Sequence, residues 1–146
     1  MQKNPIIIFN QIPSFLNPAR LKTILKEYVQ GYGFTIDQLV YNFVSKEQLY
    51  EMNAHYLNHQ TDTDIITFDY SSGESLKAEF FISMWAIVHS AQTESQSVEN
   101  ETLRVIIHGV LHCLGYNDQT KDEKTQMRNL EDGFLKLFHV KPFKDV

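Results

Sequence analysis

The sequence predicts a single compact α/β domain: about four strands in one mixed sheet, helices packed on it, and a buried central helix. Three observations carry this expectation. Short apolar runs alternate with longer stretches of helical period, the order that builds a sheet covered by helices. At 146 residues the chain has the length of one domain with a real core. No internal repeat, linker or low-complexity tract divides it, so residues 1–146 read as one unit.

The elements follow in order. Ile6-Ile7-Ile8-Phe9 is a continuous apolar run and reads as a strand. Asn17-Pro18 starts a helix, with asparagine as cap and proline in the first turn. Leu21, Ile24, Leu25, Tyr28 and Val29 keep helical period up to a stop at Gly31 to Gly33. Leu39 to Val44 reads as the second strand. Ser45 and Gln48 form a capping box for a helix reaching about Leu57, and Asn58 to Asp64 is loop-like. Ile65 to Phe68 is the third strand, Ser71-Ser72-Gly73 a turn, and Glu79 to Ile82 the fourth strand. A helix near Met84 to Gln92 follows, then one from about Asn100 that is apolar on most sides and so belongs in the core. Thr120 with Glu123 is another capping box, opening a last helix that carries Met127, Leu130, Phe134 and Phe138, the first three of them expected in the core.

Charge and composition narrow the function. The net charge is −5, so the chain is no general polyanion binder, and any nucleic-acid contact needs a local basic patch or a metal. DNA is not an expected partner. The single cysteine, Cys113, rules out an internal disulfide framework and suits a reducing compartment. No apolar run is long enough to span a membrane and the N-terminus lacks the design of a signal peptide, so the expected location is cytoplasmic. A monomer is the expected state.

The chemistry concentrates between His108 and Asp118. His108 and His112 are four apart, so on a helix both imidazoles lie on one face. Gly115 follows three residues later and can end the helix in a left-handed turn that brings Asp118 back to that face. Two ring nitrogens and a carboxylate oxygen suit one zinc ion and leave a fourth position open. Zinc proteases carry a general-base glutamate after the first histidine, whereas this chain has Gly109, so peptide hydrolysis by the usual route is not expected. Cys113 lies about 100° around the helix from His112 and is expected in the core rather than on the metal.

The run His108-Gly-Val-Leu-His-Cys-Leu-Gly-Tyr-Asn-Asp118 resembles the H-G-x-L-H-x-x-G-Y-D-H pattern of the YbeY family of small bacterial metal-dependent endoribonucleases. Other segments are similar to that family: Asn53-Ala54-His55-Tyr56, Thr63 to Phe68, Ala78 to Ser83, and Met127 with Glu131. The resemblance spans roughly residues 49 to 135. It implies a zinc-dependent, single-strand-specific endoribonuclease that matures the 3′ end of small-subunit ribosomal RNA and serves ribosome quality control. Carried over by position, the metal ligands, and through the metal the catalytic residues, are His108, His112 and Asp118.

Three positions depart from the family pattern. Asp118 stands where most of the family has histidine, Asn117 replaces an aspartate, and Leu57 replaces an arginine thought to serve RNA handling. Asp118 has a competing reading as a capping acid ahead of the Thr120 helix. His55, His59 or Lys121 could supply the missing cation, though a solvated surface residue is the simpler reading of each. Glu79 and Asp64 are candidates for a general base, with a structural role at a strand end as the simpler reading. Two rival functions stay open: a metallohydrolase for another substrate, and a metal-stabilised ribosome-associated factor without turnover.

Overall fold

A computed structural model describes residues 4–56 and 64–139. Four strands, β1 (Ile6–Asn10), β2 (Thr35–Val44), β3 (Ile65–Asp69) and β4 (Ser75–Ser83), form one sheet in the order β1-β2-β4-β3. β1 and β4 run parallel to β2, and β3 pairs antiparallel with β4, so the sheet is mixed as expected. Five helices are described: α1 (Pro18–Gln30), α2 (Lys46–Tyr56), α3 (Met84–Thr93), α4 (Val98–Cys113) and α5 (Lys121–His139).

The helix starts are built as their residues dictate. The Asn17 side chain accepts from the Arg20 amide at 3.1 Å, with Pro18 in the first turn. Ser45 and Gln48 bond each other's backbone amides, each at 3.1 Å. Thr120 and Glu123 repeat the device at α5, at 2.9 and 3.1 Å.

Two strands are longer than their apolar runs. β2 begins at Thr35 rather than Leu39, and β4 at Ser75 rather than Glu79. Backbone ladders need no apolar side chain, and the polar residues Gln38 and Lys77 pair across the sheet here. α4 starts two residues before Asn100, because the Ser97 hydroxyl caps the Asn100 amide at 3.0 Å. The expected C-terminal limit of α2 at Leu57 falls outside the described residues.

Leu39, Tyr41 and Phe43 alternate along β2, as Leu76, Ala78, Phe80 and Ile82 do along β4, and all are buried. Tyr41 lies in this layer between Phe80, with ring centroids 4.6 Å apart, and Phe9, at 5.3 Å. α4 packs on this sheet and against α3 and α5. Ten of its residues between Glu101 and Leu111 are buried, so it is the central helix the sequence predicts. It lies tight against the sheet at Gly109, where an added Cβ would lie 2.7 Å from the buried Phe80 ring. No side chain fits there, which accounts for the glycine between the two histidines.

Candidate metal centre

The end of α4 forms the site. Gly115 has φ +106, a conformation that favours glycine, and the turn carries the paired bonds of a Schellman stop. The Gly115 amide donates to the His112 carbonyl at 3.0 Å, and the Tyr116 amide to the Leu111 carbonyl at 3.0 Å. Reversed in this way, the chain returns Asp118 to the histidine face. Its Oδ2 lies 3.3 Å from His108 Nε2 and 3.6 Å from His112 Nε2, and the two Nε2 atoms are 3.1 Å apart.

These distances test whether a metal would fit. Bonds of about 2.0–2.1 Å in a tetrahedral shell put neighbouring ligand atoms roughly 3.3–3.4 Å apart. The triangle of donors has that size, and the three residues could hold a metal ion. All three side chains are half-buried, so a face remains open to a further ligand. The cap ahead of α5 is made by other residues: Thr120 accepts from the Glu123 amide, and Glu123 from the Gln119 and Thr120 amides.

Behind the site runs a chain of charges. His108 Nδ1 meets Glu131 Oε2 at 2.7 Å, Glu131 Oε1 accepts from Arg104 at 3.0 Å, and Arg104 donates to Asp132 at 2.8 Å. A proton on Nδ1 directed at Glu131 leaves the Nε2 lone pair facing Asp118, the tautomer a metal requires. Burial disfavours the His108 imidazolium, but the Glu131 hydrogen bond and charge, with Asp118 and Asp64, outweigh it and raise the histidine above its ordinary value. Protons therefore compete with metal for this ring to a higher pH than usual.

In the sequence Glu131 stands out only as the partner of Met127 in the family-like pair, and Arg104 and Asp132 belong to no motif. One signal was available. Arg104, His108 and His112 recur every fourth residue on a helix otherwise apolar there, a polar stripe that needs partners.

The two acids considered as bases separate. Phe80 packs toward Gly109 of α4, so its neighbour Glu79 points to the opposite side of the sheet, where it accepts from Asn42 at 3.0 Å. Asp64 instead lines a cavity of about 170 Å³ with His108, Arg104, Arg128 and Glu131. Burial raises its carboxyl above the usual aspartate range, although the His108 charge opposes this. Cys113 is half-buried rather than fully enclosed, because it sits in the last turn of α4. Its thiol is pushed up to about 12, by burial first and then by the charge and hydrogen bond of Asp69, which makes it a poor metal ligand.

The candidate cations also differ in place. His55 borders a separate hollow with Tyr50, Glu51, Met52 and Ala54. Lys121 stands exposed in the first turn of α5, three residues after Asp118. Leu57 and His59 lie outside the described residues.

Comparison with known proteins gives the family and the fold. The family model described as endoribonuclease YbeY matches residues 10–139. A protein of Flavobacterium psychrophilum named endoribonuclease YbeY is 43% identical over 104 residues, 71% of this chain and 74% of that protein. One of the same name from Christiangramia forsetii is 32% identical and covers 96% of this chain and 99% of its own. A Thermotoga maritima protein solved in solution shares the fold, with TM-score 0.64, 21% identity, and coverage of 96% of this chain and 99% of that one.

Proposed function

The chain belongs to the endoribonuclease YbeY family, and on that premise we propose that it is a zinc-dependent endoribonuclease specific for single strands. Its proposed task is maturation of the 3′ end of 16S ribosomal RNA and ribosome quality control, as a monomer at the ribosome in the cytoplasm. Family membership supports the reaction class. Among the described residues no helix is long and apolar enough to cross a membrane.

The observation that carries the reading is the convergence of His108, His112 and Asp118 on a triangle of metal-ligand size. These are the proposed ligands of one zinc ion per chain. When bound, the zinc would supply Lewis acidity at a phosphoryl oxygen and offset charge developing there. The protein's own part is to hold the site in shape. Glu131 fixes the His108 ring, Arg104 fixes Glu131, and the Gly115 turn sets Asp118 against both rings. Gly109 leaves no glutamate at the zinc-protease base position, so Asp64 is the proposed base, taking the proton either from a water or from the RNA 2′-hydroxyl as that oxygen attacks.

The test is cleavage of an end-labelled single strand with added zinc, with chelator, and by the His112→Ala protein, alongside metal analysis. Cleavage confined to the zinc-loaded wild type, with one zinc per chain lost in the variant, is the expected result. A 2′,3′-cyclic phosphate end would identify 2′-hydroxyl attack. Cleavage that persists in chelator and in His112→Ala would defeat the proposal. Stoichiometric zinc and ribosome association with no cleavage would replace it by the binding-factor reading.

A further inference from the structure

We propose that the outer face of the first half of α5 is the track that holds the backbone of a single-stranded RNA beside the metal centre. This deepens the endoribonuclease reading and rests on it for the identity of the polyanion.

Lys121, Lys124 and Arg128 fall at positions i, i+3 and i+7, within about 60° of one another around the helix and spread along roughly 10 Å of its length. With Thr125 and Asn129 they line one open hollow of about 490 Å³. Its polar groups are thus three cations, a hydroxyl and an amide, a set suited to phosphate oxygens.

Two further observations tie this face to the site. Arg128 also borders the smaller cavity lined by His108, Asp64 and Glu131, so the hollow adjoins a cavity that shares one proposed ligand, His108, with the metal centre. At the other end, Lys121 follows Asp118 by three residues.

The charge on the face is available. Arg128 is paired with Glu94 at 3.1 Å, but among the described residues Lys121 and Lys124 have no ion-pair partner. Two of the nearby acids are engaged elsewhere, Glu123 accepting from the Gln119 and Thr120 amides and Asp132 from Arg104, while Asp122 lies about 100° around the helix from Lys121. Lys121 is moreover the first residue of α5, where the positive end of the helix disfavours a cation. A lysine there costs helix stability, and contact with a phosphate chain would offset the cost. On a chain of net charge −5, this patch supplies the local attraction that overall composition denies.

The experiment is binding of a fluorescein-labelled twelve-nucleotide single-stranded RNA, followed by anisotropy in chelator across a salt series. Wild type, the Lys121→Glu/Lys124→Glu double variant and a Lys22→Glu/Lys136→Glu control of equal charge change are compared. The test variant should bind more than tenfold more weakly, and its salt slope should shrink by about 1.4, from two lost phosphate contacts at about 0.7 each. The control should change less than threefold. Glutamate at the first turn suits the helix end, so a thermal midpoint at or above that of wild type will show that lost binding is not lost folding. Equal affinities and slopes in test variant and control, or no RNA binding by wild type, would overturn the inference. Lost binding in a protein that never cleaves RNA would sink the catalytic reading and leave the track standing. Normal cleavage with undisturbed binding in the double variant would do the reverse.

Discussion

The two flanks of α4 are built on opposite principles. Toward the sheet, contact is decided by shape: Gly109 lies so close to Phe80 and Ile65 that even one methyl group has no room. Toward α5, contact is decided by charge, through Arg104, Glu131 and His108. The first flank sets where the helix lies but leaves ring orientation free. The second orients one imidazole to within a hydrogen bond and depends on the first to bring α5 and α4 to the right separation. A site of this kind therefore has two distinct ways to fail, by position and by orientation.

The largest effect should come from the ligand that the turn brings back. Asp118→Ala leaves two protein ligands, and zinc affinity by chelator competition should fall more than a hundredfold, while Asp118→His should bind at least as tightly as wild type. Equal affinity in Asp118→Ala and wild type would show that the turn geometry has no bearing on metal.

Next comes the charged flank. Glu131→Gln keeps the shape but removes the charge behind His108, and zinc affinity should drop about 10–100-fold. The sign of the pH effect follows from the raised His108 value. Wild-type metal binding weakens as pH falls through that raised value, because the ring then holds a proton. With the charge gone the proton is held less tightly, so the midpoint of ring protonation, read as the bend in log zinc affinity against pH, should move to lower pH in the variant. A midpoint that stays or rises would break the claim that Glu131 governs this ring.

The apolar flank should answer differently. Gly109→Ala must displace Phe80 or lift α4, at about 1–3 kcal/mol of overpacking, partly offset by the roughly 1 kcal/mol helix preference of alanine. Chemical denaturation should show lowered stability with a smaller change in zinc affinity than Glu131→Gln produces. The reverse ranking would mean that the flanks are not separable.

The smallest effect is expected at Asp64. Its carboxyl is raised by burial, so above the ordinary aspartate value of 3.8 the folded state holds the proton longer than the unfolded state. Stability contributed by this group therefore declines as pH rises through that window. Asp64→Asn should be more stable than wild type at neutral pH, with the gain vanishing below pH 3.8. A gain independent of pH would assign the effect to packing instead.

Much of the fold was legible because its signals are local. The caps at Asn17, Ser45 and Thr120 and the stop at Gly115 act within a few residues, and each works as its sequence states. The apolar stripe of α4 announced its burial. Strand starts at Thr35 and Ser75 were not legible, since polar residues there are held by a neighbouring strand and not by their own periodicity.

The candidate site divides in the same way. His108, His112, Gly115 and Asp118 lie within eleven residues, so helix periodicity and one left-handed turn suffice to bring the donors together. Arg104, Glu131 and Asp132 join through contacts up to 28 residues apart, and only the packing of α5 on α4 makes them neighbours. The same packing moved Glu79 out of consideration and left Asp64 beside the site, because the face to which a strand residue points depends on which side α4 covers. The sequence by itself determined the donors and the turn that gathers them. The tertiary structure decided which charges stand behind them, because electrostatic partnership depends on distance in space and not on distance along the chain.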